Sequence, residues 1–234
     1  MTNEEIEENW KVGPSSFRND MHQFQNWFDR SDSLGLTIAQ GHIDFHAKIL
    51  TPDLYRHLGD IRGKSCLEIG FGGGRLLNAA ARVFSSAKGI DIHECFDMTA
   101  EFLKSQGISN VSLLKFDDAG TIGDESVRFI YSFIVFQHFG SIDVFHQYLD
   151  LIERVLEKGG CCSLHLGKNL WNNDDYFLKP NLEPGTTCST MFYSPKFVKR
   201  ELESRGFKVI SHGQMTKMPW SEIPSGQFFM NFKK

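Results

Sequence analysis

The chain has 234 residues, with 25 Lys and Arg against 29 Asp and Glu and a formal net charge of −4. That length suits one α/β domain with a substantial core, and an acidic balance without a Lys/Arg cluster argues against a nucleic-acid partner. The start, MTNEEIEENW, lacks a basic-then-apolar leader pattern, and the longest apolar run, 129–136, falls far short of the roughly 20 residues that span a bilayer. The expectation is a soluble, cytoplasmic protein that does not bind membranes. None of the five cysteines lies in a Cys-x-x-Cys pair, so buried free thiols are expected rather than a zinc site or disulfides.

Residues 1–60 read as helical and aromatic, with Trp10, Phe17, Phe24, Trp27, Phe28 and Phe45; Thr51 is a candidate cap for a short helix running to His57. From residue 61 short apolar runs alternate with amphipathic stretches. SCLEIG is a strand and GRLLNAAARVF a helix. AKGIDI is a strand, and CFDMTAEFLKSQG a helix closed by Gly107. VSLLKF and VRFIYSFIVF are strands. SIDVFHQYLDLIERVLEKGG is a long helix opened by Ser141 or Asp143 and stopped by Gly159, and CCSLHLG is a fifth strand. Residues 167–193 are polar, bear Pro and Gly, and exceed an ordinary connection, so they are either a functional lid or a tolerated insertion. SPKFVKRELESRG is a helix, and FKVISHG and GQFFMNFKK are strands joined by a loop without helical pattern, hence antiparallel.

Alternating strand and helix with nearly continuous apolar strands predicts a doubly wound, mostly parallel seven-stranded sheet, Rossmann-like, with an antiparallel last strand. Residues 1–60 form an N-terminal helical cap and 61–234 the main domain. In such sheets ligands sit at the carboxyl ends of the strands. The first strand runs there into a glycine turn, CLEIGFGGGR. A dinucleotide site requires Gly-x-Gly-x-x-Gly. Counted from Gly70 its third glycine falls on Arg75, and counted from Gly72 on Leu77. Glu68, Gly70, Gly72 and Gly74 instead fit Glu-x-Gly-x-Gly-x-Gly. About 20 residues on, Asp91 ends the second strand, where an acid reaches ribose hydroxyls; taken alone it is equally a cap or turn residue.

The glycine pattern resembles motif I of the class I S-adenosylmethionine-dependent methyltransferases. The likeness extends in order over 61–234. Asp117 and Asp118 follow the third strand, VRFIYSFIVFQHF resembles the fourth strand, and Glu157-Lys158-Gly159-Gly160 is similar to the Leu-Lys-Pro-Gly-Gly turn except at its proline. LESRGFKV resembles the entry to the sixth strand. The resemblance implies S-adenosylmethionine as cofactor. Glu68, Gly70, Phe71, Gly72 and Gly74 would then wrap its methionine part, Asp91 its ribose and Ile92 its adenine. Asp117 or Asp118 would meet the adenine amino group, and Ser132 would stand nearby. Either acid after the third strand is also an ordinary turn former.

Methyl transfer needs alignment, water exclusion and, for a hydroxyl or protonated amine, a proton acceptor. His138, beyond the fourth strand, and His165, near the end of the fifth, are the candidate bases; either is equally a packing histidine, and many members of the family use no base. His42 and His46 share a helix face but have no evident third metal ligand. Trp27, Phe28, Trp171, Tyr176, Phe192 and Tyr193 are candidate acceptor-pocket aromatics or plain core. The expectation is methyl transfer to a small-molecule acceptor, foremost a hydroxyl oxygen. Nitrogen transfer and a silent cofactor-binding module of the same fold are the alternatives, and the glycine spacing disfavours a nicotinamide enzyme.

Overall fold

The computed structural model describes residues 3–179, 190–215 and 226–234. Helices α1 (Asn3–Val12), α2 (Met21–Asp29), α3 (Leu34–Asp44) and α4 (Pro52–Leu58) come first. Asp20 caps α2 by accepting from the Gln23 amide at 3.0 Å, and Ser33 caps α3 by accepting from Leu36 at 3.2 Å. Thr51 precedes α4 as expected, but its side chain makes no capping bond; Pro52 at the first turn supplies the start instead.

The main domain then alternates β1 (Ser65–Ile69), α5 (Arg75–Ala80), β2 (Ser86–Asp91), α6 (Phe96–Ser105), β3 (Val111–Lys115), β4 (Val127–Phe133), α7 (Ile142–Val155) and β5 (Leu156–Gly167). A two-stranded ribbon, β6 (Tyr176–Leu178) and β7 (Met191–Tyr193), leads to α8 (Pro195–Ser204), β8 (Lys208–Gln214) and β9 (Gln227–Lys233). Seven strands form one sheet in the order β3-β2-β1-β4-β5-β9-β8. β1 pairs parallel with β2 and β4, β2 with β3, and β4 with β5, whereas β9 runs antiparallel between β5 and β8. This is the architecture expected from the sequence.

Several boundaries differ from the sequence pattern. The helix after the glycines ends at Ala80 rather than Phe84. β4 stops at Phe133 because Ile134 turns to φ +65°, and Phe136–His138 coils into a short helical turn. α7 opens at Ser141, which accepts from the Asp143 amide at 3.1 Å, but it ends at Val155, before Gly159. Gly159 instead lies in β5, where the register to β4 shifts between Val127 and Phe129. Within the segment 167–193, Tyr176–Leu178 and Met191–Tyr193 pair as β6 and β7, and 180–189 lie outside the described residues.

Side chains alternate across the sheet as period two demands. Leu67, Ile69, Ile130, Cys162 and Leu164 face a core with α7 and α8. Cys66, Phe129, Tyr131 and Cys161 face a second core with Phe45, Ile49 and Leu54 of the N-terminal segment and Leu77 and Phe102 of α5 and α6. The adjacent Cys161 and Cys162 thus point to opposite faces. Cys66, Cys95, Cys161 and Cys162 are buried free thiols, and Cys188 lies outside the described residues. Among the described residues no helix is long and apolar enough to cross a membrane.

Candidate active site

The end of β1 and the end of β4 define the place. β1 stops at Gly70, whose φ is +75° and whose amide donates to Ile90 O at 2.8 Å. A Cβ there would fall 2.3 Å from Val135 Cγ2, so only glycine lets the β1 loop pass the segment after β4. Gly72, at φ +49°, is equally restricted, because a Cβ would lie 2.8 Å from the Phe28 ring of α2.

A tight polar net holds this loop. Asp91, at the carboxyl end of β2, accepts from the Gly72 amide at 2.8 Å through Oδ2 and from the Ile92 amide at 2.7 Å through Oδ1. His93 Nδ1 accepts from the Cys95 amide at 3.0 Å, which leaves its Nε2–H to donate to Gly72 O at 3.1 Å. Thr99 Oγ1 donates to the same oxygen at 2.9 Å, and Gln25 Nε2 of α2 donates to Gly73 O at 2.7 Å. Burial pushes the His93 pKa down, which keeps the imidazole in this neutral form.

Arg75, the first residue of α5, carries a buried ionic chain. Its Nε donates to Asp29 Oδ1 at 2.6 Å and its Nη1 to Asp44 Oδ2 at 2.7 Å, and Lys48 lies 2.6 Å from Asp44. Asp29 Oδ2 is sealed from solvent without a partner among the described residues. Burial outweighs Arg75 here and raises the Asp29 pKa. Below the loop, Glu68 is 2 % exposed and accepts from the Tyr131 hydroxyl at 3.0 Å; burial holds its carboxyl well above the usual range.

These groups surround a cavity of about 190 Å³. Glu68, Gly70, Phe71, Gly72, Asp91 and Ile92, six of the residues expected to hold a cofactor, line it. Gly74 does not; it opens α5. Ser132 is buried and donates to Ile69 O at 2.9 Å, tying β4 to β1 outside the cavity. Asp117 and Asp118 are exposed on the turn Phe116–Thr121, also outside its lining. Of the two candidate bases only His138 lines the cavity, with its ring 4.5 Å from that of Trp10 of α1. His165 is buried on the face of β5 that carries Cys161, against Phe133 and 3.1 Å from Met215 Sδ, and burial lowers its pKa to about 3. It lies outside the lining and stays uncharged at neutral pH.

Of the candidate pocket aromatics Phe28 lines the cavity. Trp27 packs on Trp10 and Phe17, Trp171 on Phe177 and Phe192, Tyr176 on Phe197, and Tyr193 donates to Phe136 O at 3.0 Å. His42 and His46 stack in parallel with ring centroids 6.3 Å apart. The sequence reading missed Asp29, Arg75 and Tyr148 in the lining, and Gln25 and His93 behind it. Only Arg75 had a visible signal, a cation directly after the glycines.

The methyltransferase domain family model matches residues 67–164, the span that supplies the glycine loop, Asp91 and His138. Over that span the chain matches the methyltransferase domain and resembles the S-adenosylmethionine-dependent enzymes that carry it. No curated protein matches it in sequence. Solved structures share its fold. A methyltransferase from Methanosarcina mazei superimposes with a TM-score of 0.63 at 17% identity, over 79% of this chain and 98% of that one. The 1,6-didemethyltoxoflavin-N1-methyltransferase of Burkholderia thailandensis, solved with its acceptor and S-adenosylhomocysteine, gives 0.63 at 15% identity over 95% and 87%. A methyltransferase from Clostridium acetobutylicum gives 0.59 at 13% identity over 89% and 95%. The cofactor is S-adenosylmethionine. The cavity fits it chemically, with a glycine-rich loop for close approach, a strand-end carboxylate for a diol, and aromatic walls.

Proposed function

We propose that this methyltransferase acts on a hydroxyl oxygen of a small-molecule acceptor, with residues 1–60 serving as a cap over a cofactor-binding domain at 61–234. The observation that carries the reading is His138. It lies just past β4, shares one cavity with the glycine loop, and has its ring against Trp10 of the cap. Glu68, Gly70, Phe71, Gly72, Asp91 and Ile92 would hold the cofactor. When bound, S-adenosylmethionine supplies a methyl carbon made electrophilic by its sulfonium.

An acceptor hydroxyl entering beside His138 would give its proton to the imidazole as its oxygen forms the new bond to carbon and the carbon–sulfur bond breaks. Trp10 would orient the imidazole, and Trp10 with Phe28 would exclude water and flank a flat acceptor. A small, mostly apolar cavity and an acidic chain suit a metabolite better than a nucleic acid. Buried free thiols suit a reducing, cytoplasmic setting.

The test is transfer of labelled methyl groups to a panel of hydroxylated and amino metabolites, with the methylated atom located by mass spectrometry. Ether products are expected. His138→Asn should lower kcat by about 100-fold, within the range of general-base catalysis, while leaving S-adenosylhomocysteine affinity intact. Full activity of that variant would remove the base. N-methyl products would move the reading to nitrogen, and cofactor binding without any transfer would leave a silent module.

A further inference from the structure

Tyr148 stands apart from the groups placed so far. It lies on α7, within an amphipathic pattern that reads as core, and its ring is indeed packed in aromatic core. Ring centroids lie 4.4 Å away at Phe116, 5.0 Å at Phe139 and 5.8 Å at Phe136. Yet the residue also lines the cavity together with Asp91 and Ile92. It is 5 % exposed, and its hydroxyl has no hydrogen-bond partner among the described residues. Nor is that hydroxyl among the sealed, unpaired polar atoms, and the residue that carries it lines the cavity. A phenol fixed by three rings, with an oxygen that is neither sealed nor paired, is a preset donor. Buried tyrosine hydroxyls ordinarily find a partner, and here the protein provides none.

We infer that Tyr148 donates a hydrogen bond to the adenosine end of the bound cofactor, a contact from α7 additional to Asp91 and Ile92. The inference rests on the cavity's being the cofactor site. Position selects the adenosine end: the ring of Phe116, directly after β3, lies 4.4 Å from the phenol ring, the Asp91 carboxylate at the end of β2 acts on its charge, and Tyr148 packs in the α7 core of the sheet. Burial and then the charges of Asp91, Glu7 and Asp117 push the phenol's pKa up, so it is a neutral donor at any working pH. Ring nitrogens of a purine and ribose oxygens are acceptors that suit it.

Tyr148→Phe keeps the ring and removes only the oxygen. Because that oxygen is unpaired, unliganded Tm should stay unchanged or rise slightly. Calorimetric titration should show S-adenosylhomocysteine binding weakened about three- to tenfold, the worth of one net hydrogen bond. 5′-Methylthioadenosine, which lacks the amino-acid part, should lose the same factor. The ligand-induced rise in Tm should shrink in parallel.

If the parent protein binds S-adenosylhomocysteine and the variant binds it equally well, the inference is overturned while the cofactor site stands. Weakened S-adenosylhomocysteine binding with unchanged 5′-methylthioadenosine binding overturns it too, because the hydroxyl then serves the amino-acid end. If the parent protein binds neither compound, the cofactor site itself has been misplaced and the inference falls with it.

Discussion

Replacing Arg75 by Met tests whether buried charge locks the N-terminal helices to the glycine loop. Methionine keeps much of the arginine stem and removes the guanidinium. That guanidinium is 12 % exposed and joins Asp29 to Asp44. The two acids are not left equal by its loss. Asp44 retains Lys48 at 2.6 Å and Gln40 at 2.9 Å. Asp29, 13 % exposed, retains nothing, since its second oxygen is already unpaired. Removing one member of a buried pair costs about 3–5 kcal/mol. Asp29 can relieve part of this by taking up a proton, so the low end, about 3 kcal/mol at neutral pH, is expected. In a domain of this size that lowers Tm by about 6–12 °C.

The loss should also depend on pH. The Asp29 pKa is already raised by burial above its ordinary value of 3.8, and losing Arg75 raises it further. Between the unfolded and the raised folded pKa the native state then binds more protons than the unfolded state. The stability so gained is fully present below the unfolded pKa and is lost as pH rises through the folded one. Thermal unfolding followed by circular dichroism from about pH 5 to about pH 8 should therefore show the deficit growing with pH. The double variant Arg75→Met/Asp29→Asn should recover about half of the loss or more, as coupled neighbours do. A single-variant Tm drop below about 2 °C, or a double variant no more stable than the single, would refute the reasoning.

Two further outcomes follow from the same site. Asp91→Ala removes the acceptor of the Gly72 and Ile92 amides as well as the proposed ribose contact; S-adenosylhomocysteine affinity by calorimetry should fall at least about tenfold, and an unchanged Kd takes Asp91 out of the site. Glu68→Gln preserves an oxygen for the Tyr131 hydroxyl and deletes a carboxyl whose pKa is raised by burial. The parent loses stability as pH rises through that raised folded pKa, and the amide variant does not, so the Tm difference should move in the variant's favour with rising pH. Parallel Tm-versus-pH curves would rule out an ionisable Glu68.

The sheet was legible because each strand is an apolar run of strand length bounded by turn signals, and the glycine loop because only glycine tolerates its backbone and crowding. Asp91 was legible because it ends the strand beside that loop. What failed to read were facts of direction and distance. His138 and His165 both follow strands, but the alternation along β5 sends His165 to the face that carries Cys161, under Lys48 and Met215, and the sequence does not mark which parity faces the cavity. Tyr148 sits within the apolar face of α7, where a hydroxyl at the cavity leaves no trace in the periodicity. Gln25 and Asp29 meet their partners across 48 and 46 residues, and nothing local in an aromatic helix singles out its polar residues for that role.

The polar character of this docking follows from the loop itself. A run of glycines offers no side chains to pack against. Apart from Phe71, whose ring packs on His93 and Phe96, its anchors are its carbonyls and amides and the first side chain beyond it. Those are the groups taken up here: Gly72 O by His93 and Thr99, the Gly72 amide by Asp91, Gly73 O by Gln25, and Arg75 by Asp29. Apolar residues at 25 and 29 would add burial area but strand a carbonyl and a guanidinium, each costing more than the area returns. The same scarcity of side chains that admits a ligand to the backbone therefore obliges the N-terminal helices to hold the loop through hydrogen bonds and charge, while the aromatic residues of α1 and α2 close the space above it.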